Sequence, residues 1–167
     1  YYAAMVLSEI FGGSMNSRLF REVREKRGLV YSVQSAFSPN GIFGAETIYA
    51  GTNPDKSHET VQVILDELRK LPAEGVTEDE LARAKVQLKS EIVMRGESAS
   101  SRMLSLARAW WFEHRLIPIQ EVKDAIDNVS REQILHLLER FPPMDRLVLT
   151  AIGPRPRAEL VGDALER

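Results

Sequence analysis

Between Tyr31 and Ala50 the apolar residues recur with a period of two, whereas on either side of that stretch they recur at the three-to-four-residue spacing of a helix. Tyr31, Val33 and Phe37 fall on one side of an extended chain, and Ser32, Gln34 and Ala36 on the other; Phe43 to Ala50 alternates again. Ser38-Pro39-Asn40-Gly41 supplies the turn, proline presetting its own φ and glycine accepting a positive one. A hairpin set among helices restricts the chain to an α+β domain, with helices packed on an antiparallel or mixed sheet.

The flanking helices have readable limits. Residues 1 to about 11 carry Tyr2, Met5, Val6 and Ile10 at helical spacing and stop at Gly12-Gly13, and a second helix is expected from Asn16 to Lys26, with Gly28 just past its end. Asn53-Pro54 reads as a cap followed by proline at the first helical position, ahead of the stripe Val61, Ile64, Leu65, Leu68 and Leu71. Thr77 with Glu80, and Ser130 with Gln133, form capping boxes for two more helices, the first running to a break near Gly96. Between them Pro118 opens a short helix through Val122, Ala125 and Ile126. The stretch from Ser98 to Glu113 is apolar over so broad a face, with Met103, Leu104, Leu106, Trp110 and Trp111, that burial is expected. Arg146 to Ile152 is apolar on both faces, as a third strand covered on both sides would be, and a short helix is expected after Pro156. A sheet of only three strands leaves an unpaired edge, and the chain begins inside an apolar pattern, so a segment of a longer protein is expected.

Composition excludes more than it selects. The 167 residues, 44% of them hydrophobic, suffice for one domain with a real core. A net charge of -2, from 22 basic and 24 acidic residues, points to neither nucleic acid nor an anionic surface, and no apolar run reaches the roughly 18 residues that a membrane span needs. With no cysteine, disulfides, thiolate metal sites and cysteine nucleophiles are all ruled out. His58, His114 and His136 are isolated, with no HxxEH arrangement or its inverse, so no pair one helical turn apart can converge on a zinc ion. Gly12-Gly13-Ser14 lacks the second glycine and the preceding strand of a nucleophile elbow, and Glu78, Asp79 and Glu80 sit where carboxylates complement a helix dipole.

The stretch with chemical content runs from Leu19 to Tyr31. Arg24 belongs to the last turn of a helix and Tyr31 to the start of a strand, with Gly28 reversing the chain between them. A guanidinium and a phenol that converge could hold peptide carbonyls or a tetrahedral oxyanion, since both donate hydrogen bonds. Equally, a cation in a last turn stabilises that terminus and a tyrosine suits a strand. The cluster Arg18, Arg21, Arg24, Lys26 and Arg27 is diluted by Glu22 and Glu25 and lacks interleaved aromatics, against nucleic-acid binding. Adjacent Trp110 and Trp111 point about 100° apart on a helix and fit core or interface packing better than a ligand platform.

Phe11-Gly12-Gly13-Ser14-Met15-Asn16-Ser17-Arg18-Leu19-Phe20, continued by Arg21-Glu22-Val23-Arg24-Glu25-Lys26-Arg27-Gly28-Leu29-Val30-Tyr31-Ser32, resembles the signature of the second domain of M16 zinc metallopeptidases of the pitrilysin/insulinase type, in particular M16B and processing-peptidase subunits. Gly51-Thr52-Asn53-Pro54, and Thr77-x-x-Glu80-Leu81 with Ala84-Lys85, are similar to the same domain, so the likeness covers about Tyr2 to Gly153. The resemblance implies a LuxS/MPP-like metallohydrolase fold, truncated at its N-terminus, with residues 1–167 as the zinc-free C-terminal half of a two-domain protein. In that family two related halves enclose a chamber. The first carries HxxEH and a downstream Glu for zinc; the second contributes an Arg and a Tyr that contact substrate near the metal. The Arg, six residues, Tyr spacing falls on Arg24 and Tyr31, while Arg27 fits the local pattern but not the pair.

The likeness implies the substrate-binding half of a zinc metalloendopeptidase, inactive alone. It would hold no metal or cofactor itself, zinc being expected in the partner domain. The implied partners are a peptide substrate and an HxxEH-bearing M16 domain, in the same protein or in a partner subunit, and a homodimer is compatible with this. The alternative is a non-catalytic homologue acting as a scaffold or assembly subunit. The compartment stays open between the periplasm and the cytoplasm of a bacterium.

Overall fold

The structure is a computed structural model that describes residues 1–40, 43–156 and 159–160. Helix α1 (Tyr2–Ser8) passes without a break into a π-helical turn over Glu9–Gly13, and a second π-helical segment spans Phe20–Glu25. Strands β1 (Val30–Asn40) and β2 (Phe43–Thr52) form an antiparallel sheet. A short 3₁₀ turn (Pro54–Lys56) then leads into α2 (Ser57–Glu74), followed by α3 (Glu78–Glu97), α4 (Ala99–Glu113), α5 (Ile119–Asp127) and α6 (Arg131–Arg140).

The α+β class expected from the sequence is the one observed, and the local signals account for much of it. Both capping boxes are formed: the Thr77 hydroxyl accepts from the Glu80 N–H and the Ser130 hydroxyl from the Gln133 N–H, with the reciprocal bonds present. Asn53 precedes the Pro54 turn as expected, but its side chain makes no capping hydrogen bond. The hairpin pairs Asn40 with Phe43, so β1 runs on through Ser38, Pro39 and Asn40 of the anticipated turn while β2 begins at Phe43 as expected; Gly41, expected in that turn, lies outside the described residues. Most of the expected helix after Pro156 lies outside them too.

The core forms where α1 and the two π segments meet the inner face of the sheet and the α2, α3, α5 and α6 helices. Val6, Phe11, Leu19, Val23, Val76, Ile126 and Ile134 are among its most deeply buried apolar members. Gly12 lies against β1 so closely that a Cβ there would stand 2.6 Å from the Ser35 backbone nitrogen. The Gly-Gly step thus lets the π turn press onto the strand.

Two expectations fail for one physical reason. Among the described residues, none of α4 is buried, and Trp110 and Trp111 are 62% and 76% exposed. The run from Leu147 to Ile152 forms no strand, with Val148 85% exposed. Apolar breadth shows that a surface prefers cover, but the cover must come from another element, and no described element of this chain supplies it. No helix among the described residues is long and apolar enough to cross a membrane.

Candidate functional site

The segment carrying Arg24 and Tyr31 is tied down on every side. Gly28 adopts the left-handed φ of 57° that lets the chain reverse. Its N–H donates to the Arg24 carbonyl at 3.0 Å and the next N–H, of Leu29, to the Val23 carbonyl at 3.0 Å. Lys56 Nζ donates to the Gly28 carbonyl at 2.8 Å, and Thr52 Oγ1 donates to the Leu29 carbonyl at 2.6 Å. Thr60 Oγ1 in turn reaches Thr52 Oγ1 at 3.2 Å. Thr52 and Lys56 therefore brace the turn between the two candidate residues, a role that their sequence positions alone did not reveal.

Tyr31 does not share a face with Val33 and Phe37, as strict alternation predicts. Val30 pairs with Thr52 but Ser32 pairs with Gly51, so Tyr31 is the extra residue of a β-bulge. The bulge keeps Val30 and Val33 buried on the inner face and turns Tyr31 out, 65% exposed. Its ring lies over Gly51, where a Cβ would be 2.6 Å from Cε2 and 2.7 Å from Cζ. Bulges of this kind re-aim a side chain, and here the side chain re-aimed is the phenol.

Arg24 is exposed, with its guanidinium carbon 5.0 Å from the centre of the Phe20 ring. Its neighbours are differently engaged. Lys26 and Arg27 both pair with Glu22, at 2.5 and 2.9 Å, which with the Lys26 contact foremost holds the Glu22 carboxyl below its ordinary value. Arg18 pairs with Glu80. Among the described residues Arg24 makes no ion pair, so its charge is uncompensated. The structure gives Arg24 the Phe20 face and Tyr31 the Gly51 backbone as supports, and no hydrogen bond joins the two side chains among the described residues.

An open cleft of about 490 Å³ is lined by Gly12, Gly13, Ser14, Met15, Asn16, Phe20, Val33, Gln34 and Gln87. Neither Arg24 nor Tyr31 lines it; Arg24 is joined to it through Phe20, on whose ring its guanidinium lies. Apart from Met15, Phe20 and Val33 the lining is glycine, hydroxyl and carboxamide, a set able to exchange hydrogen bonds with a peptide backbone.

Glu80, which the sequence marks as a helix-cap residue, also forms an ion pair with Arg18. Arg18 Nε donates to Glu80 Oε1 at 2.7 Å and an Arg18 terminal nitrogen donates to Oε2 at 2.8 Å and to the Gly75 carbonyl at 2.7 Å. Burial pushes the Glu80 carboxyl up, but Arg18 and the Thr77 N–H together outweigh it and hold it at about 2. The 62-residue separation explains why no local pattern announced the contact.

A zinc ion does not fit the residues present. His58 Nδ1 lies 3.2 Å from the Leu160 carbonyl, His114 occupies a left-handed helix cap at φ 52°, and His136 is 3.8 Å from Glu139 on α6. Among the described residues no group of three or more His, Asp or Glu is placed to hold a metal.

Known proteins share this fold and much of its sequence. The family pattern described as "Peptidase M16 inactive domain" matches residues 1–88. The chain is 36% identical over 143 residues to a protein of Rickettsia felis named as an uncharacterized zinc protease, the match covering 84% of this chain and 34% of that one. It is 40% identical over 156 residues to a Streptomyces coelicolor protein of the same description, covering 92% and 33%. A solved structure titled as the peptidase M16 inactive domain from Pseudomonas fluorescens superposes with a TM-score of 0.66 at 27% identity, covering 84% of this chain and 34% of that chain. The chain thus spans about a third of the length of these relatives.

Proposed function

Since this chain belongs to the M16 peptidase family, through the domain type described as inactive, we propose that it is the substrate-binding half of a two-domain zinc metalloendopeptidase. The observation that carries the proposal is an uncompensated guanidinium and an outward-turned phenol on either side of one braced turn. Arg24 binds and orients substrate carbonyls; its planar fork and permanent charge suit that task better than an ammonium. Tyr31 donates to the oxygen on which charge develops as the scissile carbonyl becomes tetrahedral. A bulge that fixes the phenol before substrate arrives reduces the reorganisation needed at that step.

Zinc in this proposal belongs to a separate HxxEH-bearing M16 domain, in the same protein or a partner subunit. The uncovered apolar face of α4 and the exposed run around Val148 supply surface against which such a domain can pack. The test is reconstitution. Peptide hydrolysis by this chain alone, by the HxxEH domain alone and by both together is compared under one condition; activity only in the combination is expected. Equal activity of the HxxEH domain with and without this chain overturns the proposal and leaves a scaffold role as the surviving alternative.

A further inference from the structure

We propose that Thr52 and Lys56, with Thr60 behind them, are positioning residues that set the direction of the Tyr31 phenol and so control the rate of the chemical step rather than the binding of peptide. The inference rests on the role given to Tyr31 above and adds to it the residues through which that side chain is held.

The hydroxyl protons fix how the set is wired. Thr60 is 2% exposed, so its hydroxyl has no solvent to turn to; its one proton is shared between the Lys56 carbonyl at 2.8 Å and Thr52 Oγ1 at 3.2 Å. The Thr52 proton is thereby left for the Leu29 carbonyl at 2.6 Å, ahead of the Asn53 carbonyl at 3.4 Å. Lys56, tied to Thr60 through its own carbonyl, sends Nζ to the Gly28 carbonyl at 2.8 Å. The set thus ends on two consecutive carbonyls, those of the reversal. Because the Leu29 N–H is held by the Val23 carbonyl at 3.0 Å, Leu29 is anchored through both of its backbone polar groups. Tyr31 follows two residues later, and its ring lies on Gly51, the neighbour of Thr52. One short segment of β2 therefore supplies both the shelf under the phenol and the tie on the chain that leads to it.

The needs of the adjoining helix do not account for these residues. Lys56 stands at the N-terminal cap of α2, where a cation opposes the helix dipole. Asn53, in place to cap the Pro54 turn, makes no capping hydrogen bond. Thr60, in the first turns of α2, is a weaker helix former than alanine or leucine. Residues that go against a local preference mark places where another constraint has been met, and the constraint these three share is the turn between Arg24 and Tyr31.

The test measures kcat and KM for a peptide on the complete protein with its HxxEH domain, comparing wild type, Thr52→Val, Thr52→Ser, Tyr31→Phe and the double variant of Thr52→Val with Tyr31→Phe. Valine keeps the branched shape and removes the hydroxyl. Thr52→Val is expected to lower kcat about tenfold with KM changed less than about twofold, and Thr52→Ser, which retains the hydroxyl, to recover most of the loss. In the Tyr31→Phe background Thr52→Val should lower kcat by less than about a further twofold, because the hydroxyl acts through the phenol. Lys56→Met, at an exposed position, is read in the same way and replaces Thr52→Val if that variant does not fold. A kcat unchanged by Thr52→Val, or lowered by the same factor in both backgrounds, overturns the inference and leaves the role of Tyr31 standing. If Tyr31→Phe alone leaves kcat unchanged, that role falls and the inference falls with it.

Discussion

The ring of Tyr31 rests on Gly51, with no room between them for a methyl group: a Cβ on that glycine would come within 2.6 Å of Cε2. The two residues face one another because the bulge at Tyr31 shifts the register by one, setting Ser32 rather than Tyr31 opposite Gly51. Gly51→Ala therefore displaces the phenol, and the Ser32 hydroxyl, 2.8 Å from the same Cβ, must turn with it. In the complete protein with its HxxEH domain the proposed role predicts a fall in kcat/KM of on the order of 10- to 100-fold, as misplacement by about an ångström gives. Stability should change by less than about 1 kcal/mol, since alanine is otherwise the better strand residue. Peptide hydrolysis rates and a urea midpoint on the same preparation check both halves.

Arg24 offers a second lever because its charge has no carboxylate partner among the described residues, unlike those of Arg18, Lys26 and Arg27. Arg24→Lys keeps the charge and loses the planar fork and much of the stacking on Phe20. It should reduce kcat/KM by about tenfold with the melting temperature unchanged, and Arg24→Ala should reduce it further. Full activity in Arg24→Ala would remove this residue from the substrate contact.

The Arg18–Glu80 pair makes stability depend on pH in a definite direction. The Glu80 carboxyl is held at about 2 in the folded chain against an ordinary value of 4.5, so the folded state favours its ionised form. The contribution is complete above about pH 4.5 and is lost as pH falls toward 2. Because the pair is partly open to solvent, about 1 to 2 kcal/mol is expected rather than the full linkage value. Urea midpoints of wild type and Glu80→Gln, compared between about pH 6 and about pH 2.5, should differ at the upper pH and converge at the lower.

Trp110 and Trp111, the protein's two tryptophans, report on the α4 face. Both are exposed in this chain, so their fluorescence should be readily quenched by acrylamide, and Trp110→Ser or Trp111→Ser should alter stability by no more than about 0.5 kcal/mol. Adding an HxxEH-bearing M16 domain should reduce the quenching if α4 lies in the interface between them. Quenching unaffected by a partner that restores activity would place the interface elsewhere.

The features legible in the sequence are local ones. The Thr77–Glu80 and Ser130–Gln133 boxes, the α2 stripe of Leu65, Leu68 and Leu71, and the reversal at Gly28 each depend on residues within a turn or two of one another. The features it concealed depend on partners far along the chain or outside it. The Tyr31 bulge is set by pairing with β2, Arg18 finds Glu80 across 62 residues, and the exposure of α4 and of residues 147–152 reflects missing cover that composition cannot register. In the candidate site, Arg24 and Tyr31 are proposed from the family resemblance, and the brace of Thr52 and Lys56 carried no local signal of its purpose.

The most direct test of the proposed role is Tyr31→Phe in the complete protein with its HxxEH domain, assayed for kcat and KM on a peptide. The substitution removes one hydroxyl and leaves the ring on Gly51. A fall in kcat of on the order of 10²- to 10³-fold, with KM little changed, is expected for a donor that acts in the transition state. An unchanged kcat/KM in a folded variant would contradict it.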